Sequence, residues 1–206
     1  VGISFYTFQT MSYTIDIYRG KSNPYERFQD FACYASFFPQ LVAGPIVRSH
    51  EFIEQIESPR DFSFSRARLG LTLIVYGLFK KMVIADNVAL HVNSIFIEGA
   101  ALDNTALVWW GALCFGIQIY CDFSGYTDIA LGSAHLLGVE LPENFRTPYA
   151  ATSPRDFWRR WHISLSTWLR DYLYIPLGGS RNGTRTMAIA LMVTMLLGGL
   201  WHGASW

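Results

Sequence analysis

Long stretches without a charged side chain alternate with short charged clusters along this chain. No Asp, Glu, Lys or Arg occurs in segments 1–15, 31–47, 69–79, 104–121 and 186–206. The last has 21 residues and 104–121 has 18, close to the roughly 20 apolar residues with which a helix crosses a hydrocarbon core. Trp and Tyr cluster near the ends of these segments, as at membrane interfaces. The pattern favours a membrane protein over a soluble protein with buried core helices.

Proline and glycine divide the second segment. Pro39, Gly44 and Pro45 interrupt a regular helix there, which favours a broken or re-entrant segment packed among other helices. The polar segment 48–68 should lie in water or at the membrane surface. Helices are predicted over 1–18, 69–92, 105–139 (a span and then a second helix around 128–137), 154–175 and 187–206. The prediction is an all-α polytopic membrane protein with transmembrane, re-entrant and short interfacial helices.

Composition narrows the class of protein further. The 206 residues include 16 Lys and Arg against 16 Asp and Glu, and 51% are hydrophobic. Charged residues make up 16%, below the roughly 25% of typical soluble domains. An aromatic content of 16% excludes a disordered chain. The balanced charge argues against nucleic-acid binding, which needs a basic surplus.

Arginines are concentrated near the end of the chain. The segment 146–185 contains seven arginines and two aspartates, whereas 82–145 contains no Lys or Arg. The positive-inside tendency therefore places 146–185 on the cytoplasmic side. Because the chain begins with Val1 and ends at Trp206 within an apolar run, we expect residues 1–206 to be an internal fragment of a longer domain.

The segment 153–168, SPRDFWRRWHISLSTW, carries the strongest local signal. Ser153 and Asp156 form an acidic variant of the capping box, and Pro154 suits the first helical position. At about 100° per residue, one helical face collects Trp158, Trp161, His162, Leu165, Trp168, Leu169 and Tyr172. This predicts an interfacial amphipathic helix in which His162 is either a buried structural residue or a functional one.

A second histidine lies in the segment 198–206, GGLWHGASW. His202 ends a charge-free run, and an ionisable residue at membrane depth is by default a functional hypothesis. A neutral imidazole there is a plausible general base, because its unperturbed pKa is close to working pH. The alternative is helix packing through the neighbouring small residues.

The segment 122–128, DFSGYTD, follows a predicted span. Asp122 and Asp128 could orient an imidazole or bind the basic helix, but a structural salt bridge with Arg159 or Arg160 is the favoured interpretation. The remaining histidines and the three cysteines receive no function. With no HExxH motif and no paired carboxylate spacing, no metal site is predicted.

Together, DFWRRWHISLS (156–166) and LWHG (200–203) resemble the membrane-bound O-acyltransferase (MBOAT) family. The bacterial alginate O-acetyltransferase branch is the most similar, with the teichoic-acid D-alanyl transfer protein as a cousin. FYTFQ (5–9), FPQLVAGPI (38–46), DFSGYTD (122–128) and PENF (142–145) are also similar to that branch. The resemblance covers nearly the whole chain and implies an MBOAT domain whose first and last spans are missing from this chain.

The resemblance implies that His202 is the invariant histidine of the family and His162 the second position, which is His or Asn across the family. Members transfer an acyl group from a thioester donor to a hydroxyl. Here the donor would be acetyl-CoA or an acylated carrier, without a bound cofactor, and the acceptor a polysaccharide or a partner that passes the acetyl group outward. The other site residues then expected to bind substrate are Arg159, Arg160, Trp161, Ser166, Asp122 and Asp128.

On this interpretation His202 removes the hydroxyl proton as the oxygen attacks the thioester carbonyl, and His162 polarises that carbonyl or positions the acceptor. The arginines attract an anionic donor or lipid headgroups. The expected setting is the bilayer of the bacterial inner membrane, beside proteins of polysaccharide acetylation or export. D-alanyl transfer to a cell-wall polymer, a transporter and a non-catalytic scaffold stay open; the lack of an internal repeat disfavours a transporter.

Overall fold

A computed structural model describes residues 2–41, 44–58, 61–97 and 104–203, with side chains from Tyr6 onward. All regular structure in these ranges is helical. The α-helices are α1 (Gly2–Tyr18), α2 (Phe28–Ser36), α3 (Phe38–Leu41), α4 (Ser49–Glu57), α5 (Phe64–Leu78), α6 (Asp86–Phe96), α7 (Thr105–Leu136), α8 (Pro154–Trp158), α9 (Ile163–Leu169) and α10 (Gly183–His202). Two π-helical segments, Phe79–Ala85 and Arg170–Tyr174, follow α5 and α9, and Pro148–Ala150 forms a 3-10 turn. Residues 42–43, 98–103 and 204–206, which several expectations include, lie outside the described ranges.

Within the described ranges, two helices are long and apolar enough to cross a membrane. They are α7 and α10, which contain most of the charge-free segments 104–121 and 186–206. Segment 31–47 is broken as predicted, because Phe37 has an extended backbone between α2 and α3. The helices predicted over 1–18 and 69–92 are also present, the latter as α5, a π-helical segment and α6.

Two predictions about helix boundaries are wrong. The span and second helix expected within 105–139 form one continuous helix, α7. Gly125 and Gly132 lie within this helix and do not end it. They face glycines of α5 instead. The single helix expected over 154–175 is divided into α8, α9 and a π-helical segment, so the predicted face is interrupted, although Leu165, Trp168 and Tyr172 still share one buried cluster. Trp158 is exposed, whereas Trp168 is buried.

The chain divides into two compact units, each described here by itself. The first unit comprises Val1–Phe37, Pro45–Glu54 and Pro142–Trp206. Its core joins α1 to α9 through Phe8, Ile46, Leu165, Trp168 and Tyr172. The indole Nε1 of Trp168 donates to the backbone oxygen of Phe8 at 3.0 Å. This bond satisfies the one polar group of a large buried ring and fixes α9 against α1.

Polar side chains are also buried in the first unit. The hydroxyl of Tyr172 donates to Oδ2 of the buried Asp16 at 2.6 Å. Nη2 of Arg48 lies 3.1 Å from Oδ2 of Asp171, and its guanidinium lies 4.6 Å from the centre of the Tyr172 ring. These contacts attach the segment after α9 to α1 and to the loop before α4.

The second unit, Phe38–Gly44 and Gln55–Leu141, is built on close contact between α5 and α7. Gly70 faces Gly132, and Gly77 faces Gly125, so the two helices are antiparallel at this contact. A methyl group on any of the four glycines would overlap the backbone carbonyl oxygen of its partner. Small residues that let two helix backbones approach are typical of association within membranes.

Substituting Gly132→Ala should destabilise the second unit by about 1–3 kcal/mol, because backbone cannot move aside as a side chain can. The measurement is the thermal unfolding temperature of the full-length protein in detergent micelles. Ala112→Val, which adds methyl groups on an exposed side of α7, is the matched control and should leave the temperature unchanged. Equal unfolding temperatures for Gly132→Ala and wild type would contradict the packing described here.

Candidate active site

His162 lies at a break in the helical backbone between α8 and α9. The helix α8 begins as predicted, with Oγ of Ser153 accepting from the Asp156 N–H at 3.2 Å and Pro154 in the first turn. The chain then turns, and His162 adopts a left-handed conformation with φ 43° and ψ 57°. Only 3% of His162 is exposed. The imidazole is therefore held inside the first unit at the start of α9.

The segment 144–146 is hydrogen-bonded to the backbone on both sides of His162. The Arg146 N–H donates to the Arg160 oxygen, and the Ile163 N–H donates to the Asn144 oxygen, both at 3.0 Å. Oδ1 of Asn144 accepts from the Ser164 N–H at 3.2 Å and from the Ser164 hydroxyl at 2.7 Å. These four bonds determine where the chain turns.

Burial controls the charge of His162. Removal from water lowers the pKa of the His162 imidazole well below its ordinary value of 6.5, and the charge of His202 lowers it further. His162 is therefore neutral near pH 7. It can donate one hydrogen bond and accept another, but it does not supply a positive charge.

His202 ends α10 and is exposed within the first unit. Its ring meets the neighbouring Trp201 edge to face at a centroid distance of 4.6 Å. The Trp201 ring lies 4.8 Å from Phe8, which in turn lies 4.4 Å from Trp168. A chain of aromatic contacts thus connects α9, α1 and the end of α10, and both histidines belong to one packed unit.

The neighbours of His162 in sequence have different environments. Arg159 is exposed, whereas Arg160 is half-buried and its Nε lies 2.9 Å from Oδ1 of Asp156. This ion pair holds the pKa of the Asp156 carboxyl below its usual range. Trp161 packs among the rings of Phe145, Tyr149 and Phe157. Of the two arginines beside His162, Arg159 is thus the more accessible to an anion.

Ser164 and Ser166 have different contacts in the structure. The backbone N–H of Ser166 donates to the His162 oxygen at 2.9 Å, and a role for its hydroxyl in binding substrate stays a prediction. Ser164 instead bonds Asn144 and accepts from the Ile46 N–H at 3.0 Å. Asn144 and Ile46 lie in two of the motifs that suggested the family, PENF and FPQLVAGPI. Membership in these motifs is the sequence signal that points to Asn144 and Ile46, because the spacing of the two residues along the chain indicates no particular chemistry.

Asp122 and Asp128 lie in the second unit, on α7. Their ion pairs are with lysines of the π-helical segment after α5: Asp128 Oδ2 lies 2.5 Å from Lys80 Nζ, and Asp122 Oδ1 lies 2.6 Å from Lys81 Nζ. Lys80 is buried, with its ammonium 4.8 Å from the Tyr76 ring centre. The predicted pairing with Arg159 or Arg160 is therefore wrong, and a role in binding substrate stays a prediction.

Metal ligands are not grouped in the described part of the chain. No cluster of three or more His, Cys, Asp or Glu side chains there could hold an ion. The three cysteines are free, Cys33 being exposed and Cys114 and Cys121 buried.

Comparison with known proteins gives a family and several relatives. Residues 25–206 match the model of the membrane-bound O-acyltransferase family. The chain is 47% identical to a probable alginate O-acetylase AlgI of Pseudomonas fluorescens, over all of this chain and 41% of that protein. It is 39% identical to a peptidoglycan O-acetyltransferase of Helicobacter pylori, over all of this chain and 44% of that protein.

A more distant relative is a teichoic acid D-alanyltransferase of Streptococcus thermophilus, 28% identical over all of this chain and 52% of that protein. The chain thus spans between two fifths and about half of the length of these relatives.

Removing one partner of the buried ion pair between Lys80 and Asp128 should lower the stability of the protein. Asp128→Asn leaves the Lys80 ammonium without its counter-charge and should destabilise the protein by about 3–5 kcal/mol. The double variant Lys80→Met with Asp128→Leu should recover most of that loss, which is measurable as thermal unfolding in micelles. Glu143→Gln, at the exposed pair with Arg146, is the control and should cost at most about 1 kcal/mol. If the double variant is as unstable as Asp128→Asn, Lys80 and Asp128 do not form a buried ion pair.

His162 should make stability depend on pH. Its folded-state pKa is lowered, so below about pH 6.5 the unfolded state binds a proton that the folded state does not. Stability should be complete above that pH and fall as pH decreases, by up to about 1.4 kcal/mol per unit from this group. The measurement is unfolding temperature against pH for wild type and His162→Asn. The difference between their curves should grow below pH 6.5, and parallel curves would contradict a neutral buried His162.

Proposed function

Because the chain belongs to the membrane-bound O-acyltransferase family, we propose that it forms the central part of an enzyme that acetylates an exopolysaccharide. The enzyme transfers an acetyl group from a thioester donor to a hydroxyl. The observation that carries the proposal is the pair of histidines in one packed unit, one buried and neutral and the other exposed at the end of an apolar helix.

His202 is the proposed general base. An alcohol hydroxyl is a weak nucleophile at neutral pH, so its proton must leave as its oxygen bonds to the thioester carbonyl carbon. The exposed imidazole of His202 can accept that proton. Collapse of the tetrahedral intermediate then breaks the carbon–sulfur bond, and the protonated His202 gives its proton to the leaving thiolate, which restores the neutral base.

His162 is the proposed partner that binds the reacting carbonyl. Since burial keeps it neutral, it contributes a directed N–H donor rather than a charge. A donor held at the point where negative charge develops on the carbonyl oxygen stabilises the transition state more than the ground state. The fixed backbone around His162 agrees with this role, because a preorganised donor requires little rearrangement during the reaction.

Donor binding is assigned to the arginines beside His162. Acetyl-CoA is anionic, and an acylated carrier protein presents a phosphate-linked arm, so either would be attracted by Arg159. Arg160 is already paired with Asp156 and contributes less. Trp161 and Ser166 complete the proposed substrate-binding set, and Arg159 could equally bind lipid headgroups.

The proposed setting is the bacterial inner membrane, crossed several times by the whole protein. The two apolar helices support membrane insertion. The relatives support the acceptor class, because the two with higher identity are named for O-acetylation, of alginate and of peptidoglycan, whereas the D-alanyltransferase is more distant. Proteins of polysaccharide acetylation or export are the expected partners.

His202→Ala should abolish acetyl transfer. The full-length protein is expressed in a strain lacking its own copy, and the O-acetyl content of the secreted polymer is measured with membrane levels confirmed. Loss of a general base typically lowers the rate about 10²–10⁴-fold, which leaves no detectable acetylation. His50→Ala is the control, because His50 is an exposed histidine of the same unit, and it should retain wild-type acetylation.

Two other outcomes separate the competing functions. Full acetylation with His202→Ala would exclude His202 as the base and favour a scaffold or transporter. D-alanine esters in place of acetyl esters on the polymer would assign the chain to D-alanyl transfer while leaving the role of His202 intact.

A further inference from the structure

The helix that begins after His162 is capped by a residue outside that helix. The first N–H groups of an α-helix need partners that the helix does not provide, and a side chain at the N-cap position usually accepts one of these bonds. His162 occupies the N-cap position of α9 but makes no side-chain capping bond. Asn144 accepts instead, through its backbone oxygen from Ile163 and through Oδ1 from Ser164.

The Ser164 hydroxyl also holds Asn144 in place. The Ser164 hydroxyl donates to Oδ1 of Asn144 at 2.7 Å and accepts from the Ile46 N–H at 3.0 Å. Asn144 is only 1% exposed, so its amide is surrounded by protein. We call Asn144, Ser164 and Ile46, which three separate parts of the chain contribute, the Asn144 cap.

The Asn144 cap explains how a histidine can keep a left-handed backbone. Residues with a Cβ disfavour φ near 43° and adopt it when their surroundings over-determine the conformation. The bonds to Ile163 and Ser164 fix the chain immediately after His162, and the bond from Arg146 to Arg160 fixes it before. The direction of the imidazole follows from the backbone between these points.

We propose that Asn144 is a positioning residue, which through the Asn144 cap holds the His162 imidazole buried and correctly directed for acyl transfer. The inference rests on the proposed function for its catalytic consequence. The arrangement it describes, Asn144 holding His162, can be measured without any activity.

The first measurement is the rate at which diethyl pyrocarbonate modifies His162, mapped by mass spectrometry in the full-length protein in micelles. Asn144→Ala and Ser164→Ala should each raise that rate about fivefold or more, since both release the start of α9. Ser12→Ala is the matched control, because Ser12 is fully buried in the same unit, and its hydroxyl donates to the Gln9 carbonyl oxygen at 2.7 Å and hydrogen-bonds Tyr34, neither of which belongs to the Asn144 cap. It should leave the rate unchanged.

His135, half-buried in the second unit, reports whether the effect of a substitution spreads beyond the first unit. Faster modification of His162 alone supports the Asn144 cap. Equal acceleration of His135 would overturn the proposal, because Asn144 would then be needed for the fold in general. An unchanged His162 rate in Asn144→Ala would overturn it as well.

The second measurement separates kcat from KM for acetyl transfer. Misplacing a group that stabilises the transition state should lower kcat about tenfold or more with little change in KM, whereas Ser12→Ala should change neither. A wild-type kcat in Asn144→Ala would remove the positioning role even if His162 became reactive. If the wild-type protein transfers no acyl group, the proposed function fails, and the modification rates alone decide whether Asn144 holds His162.

Discussion

The left-handed backbone at His162 is the constraint on which the candidate site depends. It ends the turn after α8, sets the start of α9 and buries the imidazole. Without that break, α8 and α9 would be one helix, and His162 would share a face with Trp158, which is exposed. The break therefore separates an aromatic surface from a buried polar group. The hydrogen bonds of Asn144 and Arg146 to either side of it maintain a conformation that the residue type disfavours.

In the second unit, charged side chains lie between apolar helices. The glycine contacts bring the backbones of α5 and α7 close together. The π-helical segment after α5 then places two consecutive lysines where each reaches a different aspartate of α7. An isolated buried ion is strongly disfavoured, so the buried Lys80 needs the Asp128 carboxylate nearby. Close helix packing and charge pairing are therefore one arrangement.

Much of this structure follows from local sequence, and the errors occur where contacts between distant residues decide the outcome. The cap at Ser153, the interruption of segment 31–47 and the helices α1 and α10 each depend on residues a few positions apart, so their patterns predict them. The start of α9 depends on Asn144 and Ile46, which are remote in sequence, and no periodicity contains that information. The aromatic repeat over 154–175 predicted one helix because local spacing cannot show that distant hydrogen bonds interrupt it.

The presence of histidine at position 162 favours a functional role for its side chain over a role in packing alone. Among the described residues, glycine occupies five positions with positive φ, and only Thr147 and His162 are exceptions. Glycine would adopt φ 43° without the penalty of about 1–2 kcal/mol that other residues incur, and it would not bury a polar ring. A histidine at this position thus combines a backbone cost with a desolvation cost. The two costs are understandable if the imidazole itself is required, because strained backbones tend to occur at sites where the side chain has a task.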